Sequence, residues 1–142
     1  MRVCEGDARW RELLTTYQAT VRRELKKYRG HEVNTAGDGF FTTFDSPLHA
    51  LAWARAIATA TTNMGLGTRI GLHRGEVEMR GESVSGLAVH TAARVMGLAT
   101  AKEILASSTV LERLRGADVV FEDRGPHALK GVPGVWRLYA VG

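Results

Sequence analysis

The chain has 142 residues, 44% apolar, 24% charged and 7% aromatic, the proportions of a folded domain with an ordinary core rather than of a disordered chain. Its single cysteine, Cys4, excludes an internal disulfide framework and a cysteine-based zinc site. Lys and Arg number 19 against 15 Asp and Glu, a net +4 that permits a polyanionic partner without requiring one.

Over residues 7–30 the large apolar side chains fall at Trp10, Leu13, Leu14, Tyr17, Val21, Leu25 and Tyr28, one face of a helix. Asp7 is a suitable N-cap and Gly30 a suitable stop. The basic stretch Arg22, Arg23, Lys26, Lys27 and Arg29 reads as a solvated helix end opposing the dipole, with nucleic-acid contact as the alternative. Two β-prone runs, 31–36 and 40–44, flank Gly37-Asp38-Gly39 and predict a hairpin.

Ser46-Pro47 opens a second helix running towards Gly65, with alanines suited to close packing on a sheet. Residues 68–80 alternate apolar and polar around Gly75 and predict a strand or a further hairpin, followed by a glycine-bearing loop. A third helix is expected over 87–98 and a brief strand over 103–105. Thr109 with Glu112 forms a capping box for a short fourth helix that Gly116 ends. Strands at 119–122 and 136–141, separated by Gly125-Pro126 and by Gly131-Val132-Pro133-Gly134, close the chain. The order α-ββ-α-ββ-α-β-α-ββ is an α+β layout, helices packed on a largely antiparallel sheet, and is expected to form a single domain over 1–142. No apolar run approaches the ~20 residues of a membrane span. The segment before Asp7 lacks the apolar core of a secretory signal, so the expected compartment is the cytoplasm.

From the residues alone, Asp38 is the best candidate for chemistry, since a carboxylate at the tip of a rigid Gly-Asp-Gly turn can ligate a hard cation. Asp-Gly is also the preferred hairpin dipeptide whatever the function. Arg94, set among Ala92, Ala93 and Val95, could stabilise phosphate charge or be an ordinary surface arginine. His31, His49, His73, His90 and His127 lack paired metal-ligand spacing, and no Ser/His/Asp or P-loop pattern is present.

Three ordered blocks carry a more specific signal. They are Glu32-Val33-Asn34-Thr35-Ala36-Gly37-Asp38-Gly39-Phe40, Gly71-Leu72-His73-Arg74-Gly75-Glu76-Val77, and Gly86-Leu87-Ala88-Val89-His90-Thr91-Ala92-Ala93-Arg94-Val95. With the closing Leu129-Lys130-Gly131-Val132-Pro133-Gly134, they resemble the catalytic domain of class III adenylate and guanylate cyclases over nearly the whole chain. The resemblance implies a ferredoxin-like palm working as a head-to-tail homodimer, or with a partner cyclase chain. In it, Mg²⁺ or Mn²⁺ held by two aspartates activates the ribose 3′-hydroxyl of ATP or GTP against the α-phosphate, releasing pyrophosphate.

Carried over residue by residue, Asp38 falls at the second metal aspartate, Arg94 at the transition-state arginine and Lys130 at the lysine that holds the triphosphate. Asn34 stands where the family has its base-reading lysine, Ser83 at the base-acceptor position and His90 at the transition-state asparagine. The family's first strand, with the first metal aspartate, has no counterpart in this sequence. About five missing strand residues would leave several buried backbone groups unpaired at about 1–3 kcal/mol each, against a domain stability of about 5–15 kcal/mol. The expectation is that altered strand pairing or a partner chain closes the slot. Each lost preorganised charge contact costs ~3–4 kcal/mol of transition-state stabilisation, so the departures predict a phosphorus–oxygen lyase with weak or absent turnover and poor base selectivity. The alternative is a catalytically silent dimerisation or nucleotide-binding module. Val89, Val95, Met96 and Leu98 give the third helix a broad apolar face that suits pairing or core packing equally.

Overall fold

In the computed structural model, which describes residues 7–36, 39–75, 78–80, 83–114 and 118–142, the first apolar stripe becomes helix α1, Asp7–Lys27. Tyr17, Val21 and Leu25 are buried along it with Thr20, the spacing of one helical face. The left-handed position that ends the helix falls on Arg29, φ 61°, not on Gly30. Gly30 N–H donates to Leu25 O at 2.8 Å and Arg29 N–H to Lys26 O at 3.3 Å, the paired bonds of a Schellman motif. Gly30 supplies room instead, because a Cβ there would overlap the side chains of Leu25 and Phe44.

Strands β1 (His31–Ala36) and β2 (Gly39–Thr43) pair antiparallel, with a register shift between Glu32 and Asn34. The hairpin is a two-stranded sheet of its own. Two strands alone are marginal in water, so this pair depends on the helices above it. The Phe40 ring packs edge-on against Tyr17 at 6.0 Å, and Phe44 lies 5.4 Å from Trp53. Of the two closures expected from the sequence, altered strand pairing or a partner chain, the described residues bear only on the first, and among them no strand joins β1 or β2 to the main sheet.

Helix α2 spans Pro47–Asn63, with Ser46 as N-cap and proline at its start, and buries Leu51, Trp53, Ala54, Ile57 and Thr61. The alternating stretch after it divides between two sheets rather than folding on itself. Strand β3 (Ile70–Leu72) enters the main sheet, whereas β4 (Glu78–Arg80) pairs with β5 (Ser83–Ser85), inside what the sequence predicted as a glycine-bearing loop. Helix α3 covers Leu87–Leu98, as its periodicity requires.

Strand β6 (Ile104–Ser107) leads directly into helix α4 (Ser108–Leu114). The predicted capping box is not formed, since Thr109 lies inside the helix and its hydroxyl donates to Arg74 O at 2.9 Å. Strand β7 (Phe121–Ala128) runs through Gly125-Pro126 by an irregularity between Asp123 and Pro126, with Gly125 at φ 81°; a bulge is where a strand tolerates proline. Strand β8 spans Val135–Val141.

The main sheet has the order β3-β6-β8-β7, parallel between β3 and β6 and antiparallel elsewhere. All four residues of β6 are buried, because both faces are covered. Ile104, Ala106 and Val141 point into the large core with α1, α2 and α4 residues, while Leu105 and Leu138 join Val95, Ala99, Leu129 and Val132 on the other face. That second, smaller core positions the site. Among the described residues no helix is long and apolar enough to cross a membrane.

Candidate functional site

Gly86, at φ 123°, turns the chain into α3 in a conformation that favours glycine. On this helix His90 and Arg94 are one turn apart, on neighbouring surface positions. Opposite His90 lies the 129–134 turn. Its Leu129 and Val132 are buried in the second core, and Val132 N–H donates to Leu129 O at 3.0 Å.

His90 Nε2 lies 3.0 Å from the Lys130 carbonyl. A carbonyl only accepts, so Nε2 carries the proton. Gly131, at φ 79°, serves that contact twice over: an L side chain is strained at this φ, and a Cβ would come within 2.9 Å of His90 Nε2. The far side of the turn is tied by Trp136, whose indole N–H donates to Pro133 O at 3.1 Å.

Arg94 and Lys130 are both exposed, and among the described residues neither has an ion-pair partner. Three other surface arginines are paired, Arg22 with Glu32 at 2.8 Å, Arg124 with Glu103 at 2.7 Å and Arg137 with Asp123 at 2.6 Å, whereas Arg29, Arg69 and Arg113 are, among the described residues, without an ion pair like Arg94. Two uncompensated cations held on packed elements can receive an anion without first breaking an internal pair.

Behind the turn, the His73 ring meets Trp136 edge-to-face, with centroids 5.3 Å apart at 85°. His73 Nδ1 lies 2.7 Å from the fully buried Ser107 hydroxyl, which lies 3.0 Å from Thr109 Oγ1. Thr109 spends its proton on Arg74 O. Ser107 then donates to Thr109, and His73 Nδ1–H donates to Ser107. Burial holds His73 below the usual imidazole range, consistent with a neutral ring.

The sequence-predicted site residues divide. His90 meets the Lys130 backbone across α3 and the 129–134 turn, and Arg94 stands one turn along α3 from His90. Asn34 is exposed on β1 opposite Phe41, in the separate hairpin, and among the described residues no hydrogen bond ties it to the other three. Ser83 opens β5, its backbone in register with Arg80. Asp38 lies outside the described residues. Among those described, no group of three His, Cys, Asp or Glu could hold a metal ion. His73 and Trp136 were not singled out as site residues, because their contacts with Ser107 and Pro133 pass through the sheet and the turn.

The fold is that of class III nucleotidyl cyclase catalytic domains. A family model described as the adenylate and guanylate cyclase catalytic domain matches residues 4–141, and the chain belongs to that family. It is 30% identical over 129 residues to an adenylate cyclase of Lachancea kluyveri, matching 69% of this chain and 7% of that protein. It is 27% identical over 134 residues to an adenylate cyclase of Mycosarcoma maydis, matching 72% of this chain and 5% of that one. The chain thus spans a small fraction of these relatives' length. In fold it is similar to the catalytic core of a rhodopsin-guanylyl cyclase with converted specificity, solved with ATPαS, at a TM-score of 0.85 and 20% identity over 98% of this chain and 86% of that one.

Proposed function

We propose that this cyclase domain binds the triphosphate of ATP or GTP through Arg94 and Lys130 and converts it to cyclic nucleotide and pyrophosphate slowly or not at all. The observation that carries this is a pair of exposed cations that have no ion-pair partner among the described residues, set on α3 and on a turn that His90 ties to α3. The Arg94 guanidinium offers a fork matched to phosphate oxygens, and Lys130 a compact charge. As pyrophosphate leaves, both would meet the negative charge that builds on the phosphates.

Asp38 is the residue for Mg²⁺ or Mn²⁺, which when bound would polarise the phosphate and lower the pKa of the attacking hydroxyl. Asn34 and Ser83 are the base-facing candidates. An amide and a hydroxyl both donate and accept, so they discriminate adenine from guanine poorly.

The test is a thermal melt of the chain with millimolar ATP or GTP and Mn²⁺, followed by assay of cyclic AMP and cyclic GMP. Saturation at ~100 times Kd adds about 2.7 kcal/mol, a shift of several degrees. The shift is expected to need the metal and to shrink in Arg94→Ala and Lys130→Ala, and any turnover is expected to vanish in Asp38→Ala. No shift with either nucleotide, or an undiminished shift in both cation variants, removes the reading.

A second reading, a silent pairing module, is favoured by the exposed apolar residues Leu87, Met96 and Leu98 on α3, at 51%, 43% and 45% exposure. A patch of this kind suits a second copy or a partner cyclase chain. Sedimentation across a concentration range tests it, with a strictly monomeric chain as the outcome against.

A further inference from the structure

We infer that His90 and Trp136 are positioning residues that latch the 129–134 turn and thereby aim Lys130, with His90 acting on its neighbour's backbone and not on the nucleotide. This rests on the triphosphate reading above.

The reason lies in where the protons are. His90 Nε2–H donates to the Lys130 carbonyl at 3.0 Å, so that donor is no longer available to a phosphate oxygen. At this position of α3 the ring is therefore spent on the turn, and Gly131 leaves room for it by having no Cβ.

The second tie has its own support. Trp136 donates to Pro133 O at 3.1 Å, its ring is met edge-on by His73, and His73 is held by the fully buried Ser107 of β6. Bonded or packed contacts thus run from the centre of the main sheet to the far side of the turn. With Leu129 and Val132 buried between the two ties, the backbone that carries Lys130 is fixed before any ligand arrives, and binding need not bear the cost of ordering it.

The test is calorimetric titration of ATP with Mn²⁺ into the wild-type chain, His90→Ala, Trp136→Phe, Lys130→Ala and the doubles that combine each latch variant with Lys130→Ala. Loss of one tie is expected to weaken binding roughly threefold to tenfold, the worth of one hydrogen bond. In the Lys130→Ala background either latch variant should add less than about twofold, since residues acting through Lys130 have nothing left to aim. His90→Gln, which keeps an N–H, should restore most of the affinity lost in His90→Ala.

Equal losses with and without Lys130, or no loss in either latch variant, overturn the inference. Trp136→Phe keeps the aromatic packing, so it carries the test even where His90→Ala fails to fold. A wild-type chain that binds no ATP overturns the triphosphate reading separately. The latch is then decided by hydrogen exchange at Val132, which should quicken in Trp136→Phe if the ties hold the turn; unchanged exchange there overturns the latch as well.

Discussion

The two halves of the candidate site are built by different means. His90, Arg94 and Lys130 stand on elements packed against the main sheet, and Val95, Leu129, Val132 and Leu138 fill the space between helix, turn and strand. The β1–β2 hairpin, which carries Asn34, shares no strand ladder with that sheet and is attached through Tyr17, Phe40, Phe44 and Trp53. Side-chain packing leaves both outer edges of the hairpin without ladder partners among the described residues, whereas residues within the main sheet are held by ladder bonds and by burial on both faces. The lesson is that one half is preorganised by the sheet and the other depends on what lies against it.

Leu138→Ala should break this comparison most severely. Leu138 is completely buried in β8, and its truncation is expected to cost about 2–5 kcal/mol in denaturant melts. Phe40→Ala, in the half-buried hairpin, should cost less and leave the exchange rates of β6 and β8 amides unchanged. Gly131→Ala comes next. It places an L residue at φ 79°, for about 1–2 kcal/mol of strain, and pushes on His90, so both the melting temperature and the affinity for ATP with Mn²⁺ should drop together.

A pH series sharpens the comparison further. Because burial lowers the His73 pKa in the folded chain, the unfolded chain binds that proton more readily. Stability is then full above the ordinary imidazole pKa of about 6.5 and is lost as pH falls below it. His73→Gln should flatten that part of the melting profile.

The smallest effect belongs to the hairpin. Arg22, then Thr35, hold Glu32 down to about 2 by hydrogen bonds, a contribution present above the ordinary carboxylate pKa and lost as pH falls through the range down to about 2. The pair is exposed and screened by salt, so Glu32→Gln should leave the melting temperature nearly unchanged. Its effect should appear instead as faster hydrogen exchange confined to β1 and β2.

Much of the fold was legible where local chemistry decides it. The Ser46-Pro47 start of α2 and the apolar spacing of α3 mark those helices because caps and periodicity act within a few residues. The fate of residues 70–80 was not legible, since alternation marks a strand but not its partner, and β3 and β4 went to different sheets. Thr109 misled for a related reason: a hydroxyl that looks like a cap in sequence found Arg74, 35 positions away.

Asp38 and Arg94 are candidates from residue chemistry alone, and Asn34, Ser83, His90 and Lys130 from motif resemblance, which needs only their order along the chain. Which of them act together comes from neither. The tie between His90 and Lys130 spans 40 positions, and whether a ring proton meets a carbonyl or a phosphate depends on ångström-scale placement. The sequence by itself determined the four helices, most of the strands and the family, because these follow from short-range propensity and from matched motifs. Only the tertiary structure decided that β1 and β2 stand as a separate sheet, that His90 is spent on a turn and that Trp136 holds that turn's other side. Such contacts join residues far apart in the chain, and they exist only once the sheet has brought those residues within bonding distance.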